Sequence, residues 1–446
     1  MHQEDHLPFS VTIDRSEAAP RNMALPVEII SEIVEHVFTS PNSIIAPKFL
    51  KPSKRDLSSL RLASIQLCSS TTPVLFSKMT LDLCYSHKGH PQSCLSYVKR
   101  SEQIITTLAS RQNFIATSIH ALSICLSFPV NPALNWENGL TDTQNYHRET
   151  MTACLSEDKL ERALTTLQNL NLVQLTICQP HPSDDIQLIS SVIKSIAILP
   201  ALEDLTLIFP LSGCAPTLSL RPIANLRKLS INWLPPLVIV EIAQLVARSP
   251  DLHTLAMLGT HYRSIQFGPE DVMKAASRKG ITLPIRNLIL RHTIIDQQKL
   301  RHHIHHFRSL QTVRGSSPVW ELLAKENIWV TCTHIDYLLS SLAYLSSYSG
   351  LRSLTLTTSR HARELAVTES KRADILFGTV LYKHCSTITT LVLGDFISLW
   401  PLDYPLSKVF ESVGACTNLE HLRVAINAPM NNFVTSIPSV TVSSLY

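Results

Sequence analysis

A short pattern of hydrophobic and polar positions recurs along the chain from about residue 170 onward. The clearest copies fit xxLxxLxL, and they are LNLVQLTI (170–177), PALEDLTL (200–207), ANLRKLSI (224–231), PDLHTLAM (250–257), SGLRSLTL (349–356), STITTLVL (386–393) and TNLEHLRV (417–424). PIRNLIL (284–290) and FRSLQTV (307–313) are weaker copies. Because side chains alternate along a strand, the last two apolar residues of a copy share one face. Each copy therefore predicts a short, half-buried strand.

The segments between these copies have the periodicity of amphipathic helices. Isoleucines recur at every third or fourth position of 183–198, and segments 236–250 and 373–385 have the same character. Short strands that alternate with helices at such intervals are typical of leucine-rich repeats. The pattern predicts an α/β fold, an irregular solenoid with parallel strands on its concave face and helices on its convex face. A doubly wound sheet is disfavoured, since no glycine-rich phosphate loop follows any strand.

Two segments interrupt the repeats. Residues 131–150 are polar and lack periodicity, which predicts a long surface loop. The segment 316–348 combines helical stretches with one short strand-like stretch and matches no copy. We therefore expect a solenoid over 81–446 with loop insertions near 131–150 and 316–348.

The N-terminal region differs from the repeats. Residues 25–38 read LPVEIISEIVEHVF and predict an amphipathic helix, with a proline suited to its first turn. RDLSSLRLASIQLCSS (55–70) predicts a second helix, and TTPVLFS (71–77) predicts a third, shorter one. Three such short helices bury too little surface to be stable alone. We expect a small helical module at 23–80 that needs a partner, after a disordered tail at 1–22.

This order of motifs resembles the F-box, the small helical module by which substrate receptors dock onto the Skp adaptor of Skp-cullin-F-box ubiquitin ligases. By that resemblance the adaptor would be bound by Leu25, Pro26, Ile29, Leu60 and Leu62. Leu67 stands where many F-boxes carry a bulky aromatic residue. The alternative is a plain helical cap on the domain that follows.

Together, the module and the loose repeats resemble F-box proteins with degenerate leucine-rich repeats from mushroom-forming fungi. The resemblance implies a non-catalytic substrate-recognition adaptor whose partners are the Skp adaptor, the cullin ligase core and an unknown target protein. The alternative function is a leucine-rich-repeat interaction scaffold without ligase association. The strand phase predicts a target-binding face that includes Thr206, Lys228, Ser230, Asn287, Thr355 and Arg423.

Composition limits the other function classes. The 446-residue chain has 39 basic and 35 acidic residues, spread without a basic tail, which argues against a nucleic-acid partner. Its ten cysteines form no CxxC pair and are expected to be free thiols of a reducing compartment. The N-terminus is polar, and the most apolar run, 234–247, is interrupted by Glu241. We expect no membrane association and a cytoplasmic or nuclear location.

Candidate catalytic and metal-binding groups are incomplete. In RHHIHHFR (301–308), His302 and His306 lie one helical turn apart, a spacing that suits zinc, but no other ligand completes a site. Solvated histidines on a helix are the simpler interpretation. Asp184 and Asp185 are explained by the start of a helix. We therefore expect no catalytic residue, no metal site and no cofactor.

Overall fold

The computed structural model describes residues 75–84, 91–110, 115–127, 149–178, 185–209, 218–259, 267–336, 339–357, 366–393, 405–424 and 441–444. The chain divides into two units between Leu75 and Phe76, and the strands and helices given below belong to the second unit. The predicted N-terminal helices, at 25–38 and 55–70, lie outside the described residues, as does nearly all of the expected loop at 131–150.

The described strands form one parallel sheet in which thirteen strands neighbour each other in chain order. They are β1 Lys78–Cys84, β2 Ala121–Ser127, β3 Leu172–Cys178, β4 Asp204–Ile208, β5 Lys228–Asn232, β6 Thr254–Leu258, β7 Asn287–Arg291, β8 Thr312–Arg314, β9 Cys332–Asp336, β10 Ser353–Thr357, β11 Thr390–Leu393, β12 His421–Val424 and β13 Thr441–Ser444. In a parallel sheet with this order, a crossover connection must carry the chain from the end of each strand to the start of the next. The predicted α/β solenoid is confirmed.

Helices supply most of the crossovers. They are α1 Pro91–Ala109, α2 Glu157–Thr165, α3 Asp185–Ala197, α4 Ile239–Ala247, α5 Pro269–Arg278, α6 Gln297–Arg301, α7 Ser317–Lys325, α8 Leu339–Leu345, α9 Ala366–Ile375, α10 Tyr382–His384 and α11 Leu406–Gly414. A π turn, Leu376–Leu381, joins α9 to α10, and short 3₁₀ turns occupy Ala116–Ser118, Pro236–Val238 and Ile304–Phe307.

One continuous core lies between the sheet and the helices. In β4, Leu205 and Leu207 are buried while their neighbours are half-buried, as the alternation predicts. Ile189 and Ile193 of α3 belong to the same hydrophobic cluster. Burying each such side chain stabilises the fold by roughly 1.5–3 kcal/mol. No single repeat encloses this core, so stability depends on stacking.

A regular hydrogen-bond ladder fixes the start of each strand. We call the residue directly before a strand its leading residue. The carbonyl of Glu203, which leads β4, accepts bonds from the backbone N–H groups of Arg227 and Lys228 at 2.8 and 2.9 Å. The carbonyl of Arg227 does the same for His253 and Thr254, at 3.0 and 3.2 Å. Successive strands are thus held in register by main-chain bonds.

The structure corrects the phase of one predicted repeat. The motif LNLVQLTI aligned Leu175 with Leu205, but Leu175 pairs with Leu207 and Val173 pairs with Leu205. The repeat therefore starts two residues earlier, with Leu170 buried before the strand. A shift of two residues keeps every side chain on its own face, so alternation alone cannot detect it.

Residues 316–348 contain α7, β9 and α8, in line with the helical and strand-like stretches expected there, but β9 pairs with β8 and β10 as a repeat strand and is not part of an insertion. The strand was hard to recognise because Thr333 occupies the position of a buried leucine. Its hydroxyl donates to the carbonyl of Val313 at 3.1 Å, which satisfies the buried polar group. Trp320 and Tyr344 fill the core beside it. This segment is a further repeat in which polar and aromatic residues replace leucines.

The repeats also begin earlier than the motif search indicated. Met79 and Leu81 of β1 pair with Leu122 and Ile124 of β2, in the positions that leucines occupy elsewhere. The carbonyl of Ser77 accepts bonds from His120 and Ala121, both at 3.0 Å, and so begins the ladder of leading residues.

Replacing Leu391 with alanine tests the assignment of faces. Leu391 is fully buried in β11, whereas Val392 beside it lies on the outer face. We expect Leu391→Ala to lower the free energy of unfolding by about 2–5 kcal/mol, through lost burial and a residual cavity. Val392→Ala, the matched control, should cost less than about 1 kcal/mol. Urea unfolding followed by circular dichroism measures both, and equal losses would contradict the assignment.

Candidate functional site

The sheet face opposite the helices, which we call the strand face, carries the outward side chains in rows. The first row contains the first residue of each strand, and the second row contains the residue two positions later. Lys228 and Asn287 lie in the first row. The second row contains Thr206, Ser230, Thr355 and Arg423. The structure thus places all six predicted target-binding residues on one face, and target binding by them stays a prediction.

Contacts on this face run between neighbouring strands. The Lys228 ammonium pairs with Asp204 Oδ2. Asn287 Nδ2 donates to Thr254 Oγ1 at 2.9 Å, and Thr254 Oγ1 also shares a hydrogen bond of 2.9 Å with His253 Nδ1. These bonds restrain the polar side chains of β4 to β7. A partner would meet preset groups there instead of mobile ones.

The structure adds residues to this face that the repeat motif did not include. Arg314 of β8 and His334 of β9 both lie in the second row, aligned with Ile289 on one side and Thr355 on the other. The spacing of the motif is kept by Val330, Thr333 and Ile335. A motif that allowed threonine at buried positions would therefore include β9.

The predicted adaptor-binding residues, Leu25, Pro26, Ile29, Leu60 and Leu62, lie outside the described residues. Only the last residues of the expected docking segment, 75–77, are described. Of these, Ser77 leads β1 and belongs to the repeat ladder.

The histidine tract has a structural role in this fold. His306 is fully buried, its Nδ1 accepts from the N–H of Leu283 at 3.0 Å, and its Nε2 lies 2.9 Å from Ser277 Oγ. Since Nδ1 accepts, Nε2 carries the proton and donates to Ser277. Ser277 Oγ in turn lies 2.7 Å from His303 Nδ1. Both nitrogens of His306 are occupied, while His302 is exposed, so the pair is not arranged to bind zinc.

His384 repeats this arrangement further along the chain. It is fully buried, its Nδ1 accepts from the N–H of Leu351 at 3.2 Å, and its Nε2 donates to the carbonyl of Leu345 at 2.9 Å. His306 and His384 each stand six residues before a strand. Both tie the turn before that strand to the preceding repeat. Within the described residues, no group of three or more His, Cys, Asp or Glu side chains could hold a metal ion.

Asp185 is the first residue of α3, as expected for a carboxylate at a helix start, and Asp184 lies outside the described residues. Across the described part of the chain, no helix has the length and apolarity needed to cross a membrane.

Comparisons with known proteins find similarity among solved structures. No family model and no curated protein matches the chain. Among solved structures, the chain is similar to one described as the crystal structure of the Rad7 and Elc1 complex in yeast, with 13% sequence identity and a TM-score of 0.38. The match covers 93% of each chain. A likeness at this TM-score carries no functional conclusion.

The buried histidine predicts a dependence of stability on pH. Burial and the neighbouring imidazoles of His305 and His303 lower the pKa of His306 from 6.5 to about 4. Between these values the unfolded chain binds more protons than the folded chain. Stability is therefore full above pH 6.5 and falls as pH drops through this window. The loss from this group reaches about 3 kcal/mol near its lower end.

Urea unfolding between about pH 7 and pH 4.5 measures this loss. His306→Gln should be less stable than the natural chain at neutral pH and should have a shallower pH dependence. Part of the dependence should remain, because burial also lowers the pKa of His384. The control His302→Gln changes an exposed histidine of the same tract. An unchanged pH profile for His306→Gln would refute the role assigned to this ring.

Proposed function

We propose that this chain is a substrate-recognition adaptor of a Skp-cullin-F-box E3 ubiquitin ligase. The observation that carries the proposal is the order of two parts. An F-box-like sequence at 25–77 runs directly into the first strand of a repeat array with an open strand face. The first part would bind the Skp adaptor through Leu25, Pro26, Ile29, Leu60 and Leu62. The second would bind a target protein on the strand face.

In this role the chain performs no bond chemistry. A target held on the strand face stays close to a ubiquitin-loaded enzyme that other subunits supply, so its lysines are present at high effective concentration. The described strand face is suited to holding a partner. Its outward side chains are mainly small and polar, and main-chain bonds hold the strands that carry them in register. Such a complex would act in the cytoplasm or the nucleus.

The second candidate function is an interaction scaffold that binds its partner on the strand face without a ligase. The solenoid and its strand face are the same in both functions. The two differ only in whether the N-terminal module binds the Skp adaptor, so that interaction is the one to test.

Affinity pulldown of a Skp adaptor by the full chain distinguishes the two functions. We expect the natural chain to retain the adaptor and the variant Leu25→Asp with Pro26→Ala to lose it, because a carboxylate in an apolar contact is costly to desolvate. Leu237→Asp provides a matched control, since Leu237 is a surface leucine that is 64% exposed in the solenoid. Lack of retention by the natural chain, or equal retention by both N-terminal forms, would favour the scaffold.

A further inference from the structure

Some positive charges on the sheet are paired with carboxylates of the preceding strand, and others are not. At β4 and β5, Arg227 Nη1 lies 3.2 Å from Glu203 Oε1, and Lys228 pairs with Asp204. Both cations are therefore neutralised by the strand before them. The pair of Arg227 and Glu203 also shows that the side chains of neighbouring leading residues can reach each other.

Two arginines that lead later strands have no carboxylate among the adjacent leading residues. Arg286 leads β7, and the adjacent leading residues are His253 and Gln311. Arg352 leads β10, and the adjacent leading residues are Thr331 and Thr389. None of these four neighbours is a carboxylate. Both arginines are exposed and make no side-chain hydrogen bond or ion pair within the described part of the protein.

Two further arginines extend this region on the strand face. Arg291 is the last residue of β7 and is exposed, and Arg423 lies in the second row of β12 between Val392 and Ser443. Neither forms a side-chain ion pair within the described residues. We define the arginine region as Arg286, Arg291, Arg352 and Arg423. Two acidic residues lie in the same part of the sheet, Asp336 at the end of β9 and Glu420 leading β12.

The dimensions of the region suit an extended peptide. From β7 to β12 there are five strand intervals of about 4.8 Å, or roughly 24 Å across the sheet. An extended chain advances about 3.3 Å per residue, so some seven residues would cross from β7 to β12, while Arg286 and Arg291 stand five residues, or about 17 Å, apart along β7. Guanidinium groups bind carboxylates through two parallel hydrogen bonds, which favours arginine for such contacts.

The surrounding side chains favour a peptide over a nucleic acid. The thirteen described strands contain no Phe, Tyr or Trp, so their outward rows lack the large aromatic side chains on which bases stack best. Between the arginines lie small polar residues, among them Asn287, Ser353 and Thr355, which can bond a peptide backbone. We infer that the arginine region binds an extended acidic segment of a target protein. The inference rests on the proposed function only in calling the bound protein a ligase target.

Binding of a fluorescein-labelled poly-glutamate peptide of about ten residues to the full chain tests this, by anisotropy at two salt concentrations. We expect the natural chain to bind and added salt to weaken binding. The variant with Arg286→Gln, Arg291→Gln, Arg352→Gln and Arg423→Gln should bind about tenfold more weakly, because four charge contacts are removed, three of them from exposed side chains. Arg-to-Lys replacement at these positions should give an intermediate affinity, since it keeps the charge and loses the paired hydrogen bonds.

The matched control removes two cations that are already neutralised. Arg227→Gln with Lys228→Gln should change the affinity less than about twofold, since both side chains are paired in the natural chain. Circular dichroism confirms that each variant is folded. No binding by the natural chain, equal binding by the fourfold Gln variant, or tighter binding of a single-stranded DNA of equal length would overturn the inference.

Adaptor pulldown on the same preparations separates this inference from the proposed function. Failure to bind the Skp adaptor with retained, arginine-dependent peptide binding would refute only the ligase role. Retained adaptor binding without peptide binding would refute only the acidic partner.

Discussion

The whole solenoid depends on one constraint, that each strand is completed by the next. The buried residues of the strands form one core with those of the helices, and the carbonyl before each of β1 to β11 accepts the N–H groups of the next leading residue and of the residue after it. Neither interaction can be satisfied within one repeat. The buried rings of His306 and His384 also connect neighbouring repeats, because each accepts a hydrogen bond from a backbone N–H group in a turn between repeats. The regular sheet follows from this repeated dependence, even though the sequence copies are irregular.

This division of roles leaves the strand face available for binding. Residues that point inward set stability, whereas outward residues contribute little to the core and can vary in charge and size. Their spacing is nevertheless fixed, since main-chain bonds hold neighbouring strands in register. Thr206 and Ser230, for example, pair directly across β4 and β5. The strand face therefore combines a regular geometry with a chemistry that is free to differ from strand to strand.

Period-two alternation was sufficient to predict the α/β solenoid and nine of its strands, because a recurring Leu-x-Leu pair is typical of strands that bury one face. It failed where a different residue type solved the same burial problem. Thr333 is buried in place of leucine by donating its hydroxyl to the carbonyl of Val313, and the strand-like stretch at β9 was for that reason not recognised as a repeat. The phase of β3 was wrong by two residues, since a shift of that size keeps Leu175 on the buried face. The role of His306 depends on Leu283 and Ser277, which are distant in sequence and carry no motif.

Charge is the property that the sequence predicts least well. A net charge of +4 spread along the chain gave no sign of a cationic surface. Arg227 and Arg286 both lead a strand and look equivalent in sequence, but Arg227 stands next to Glu203 and Arg286 stands between His253 and Gln311. The order of the sheet decides which arginine is neutralised, because it determines which leading residues are neighbours. In a solenoid, unpaired arginines can thus arise where the adjacent leading residues are not carboxylates, with no local enrichment of arginine or lysine.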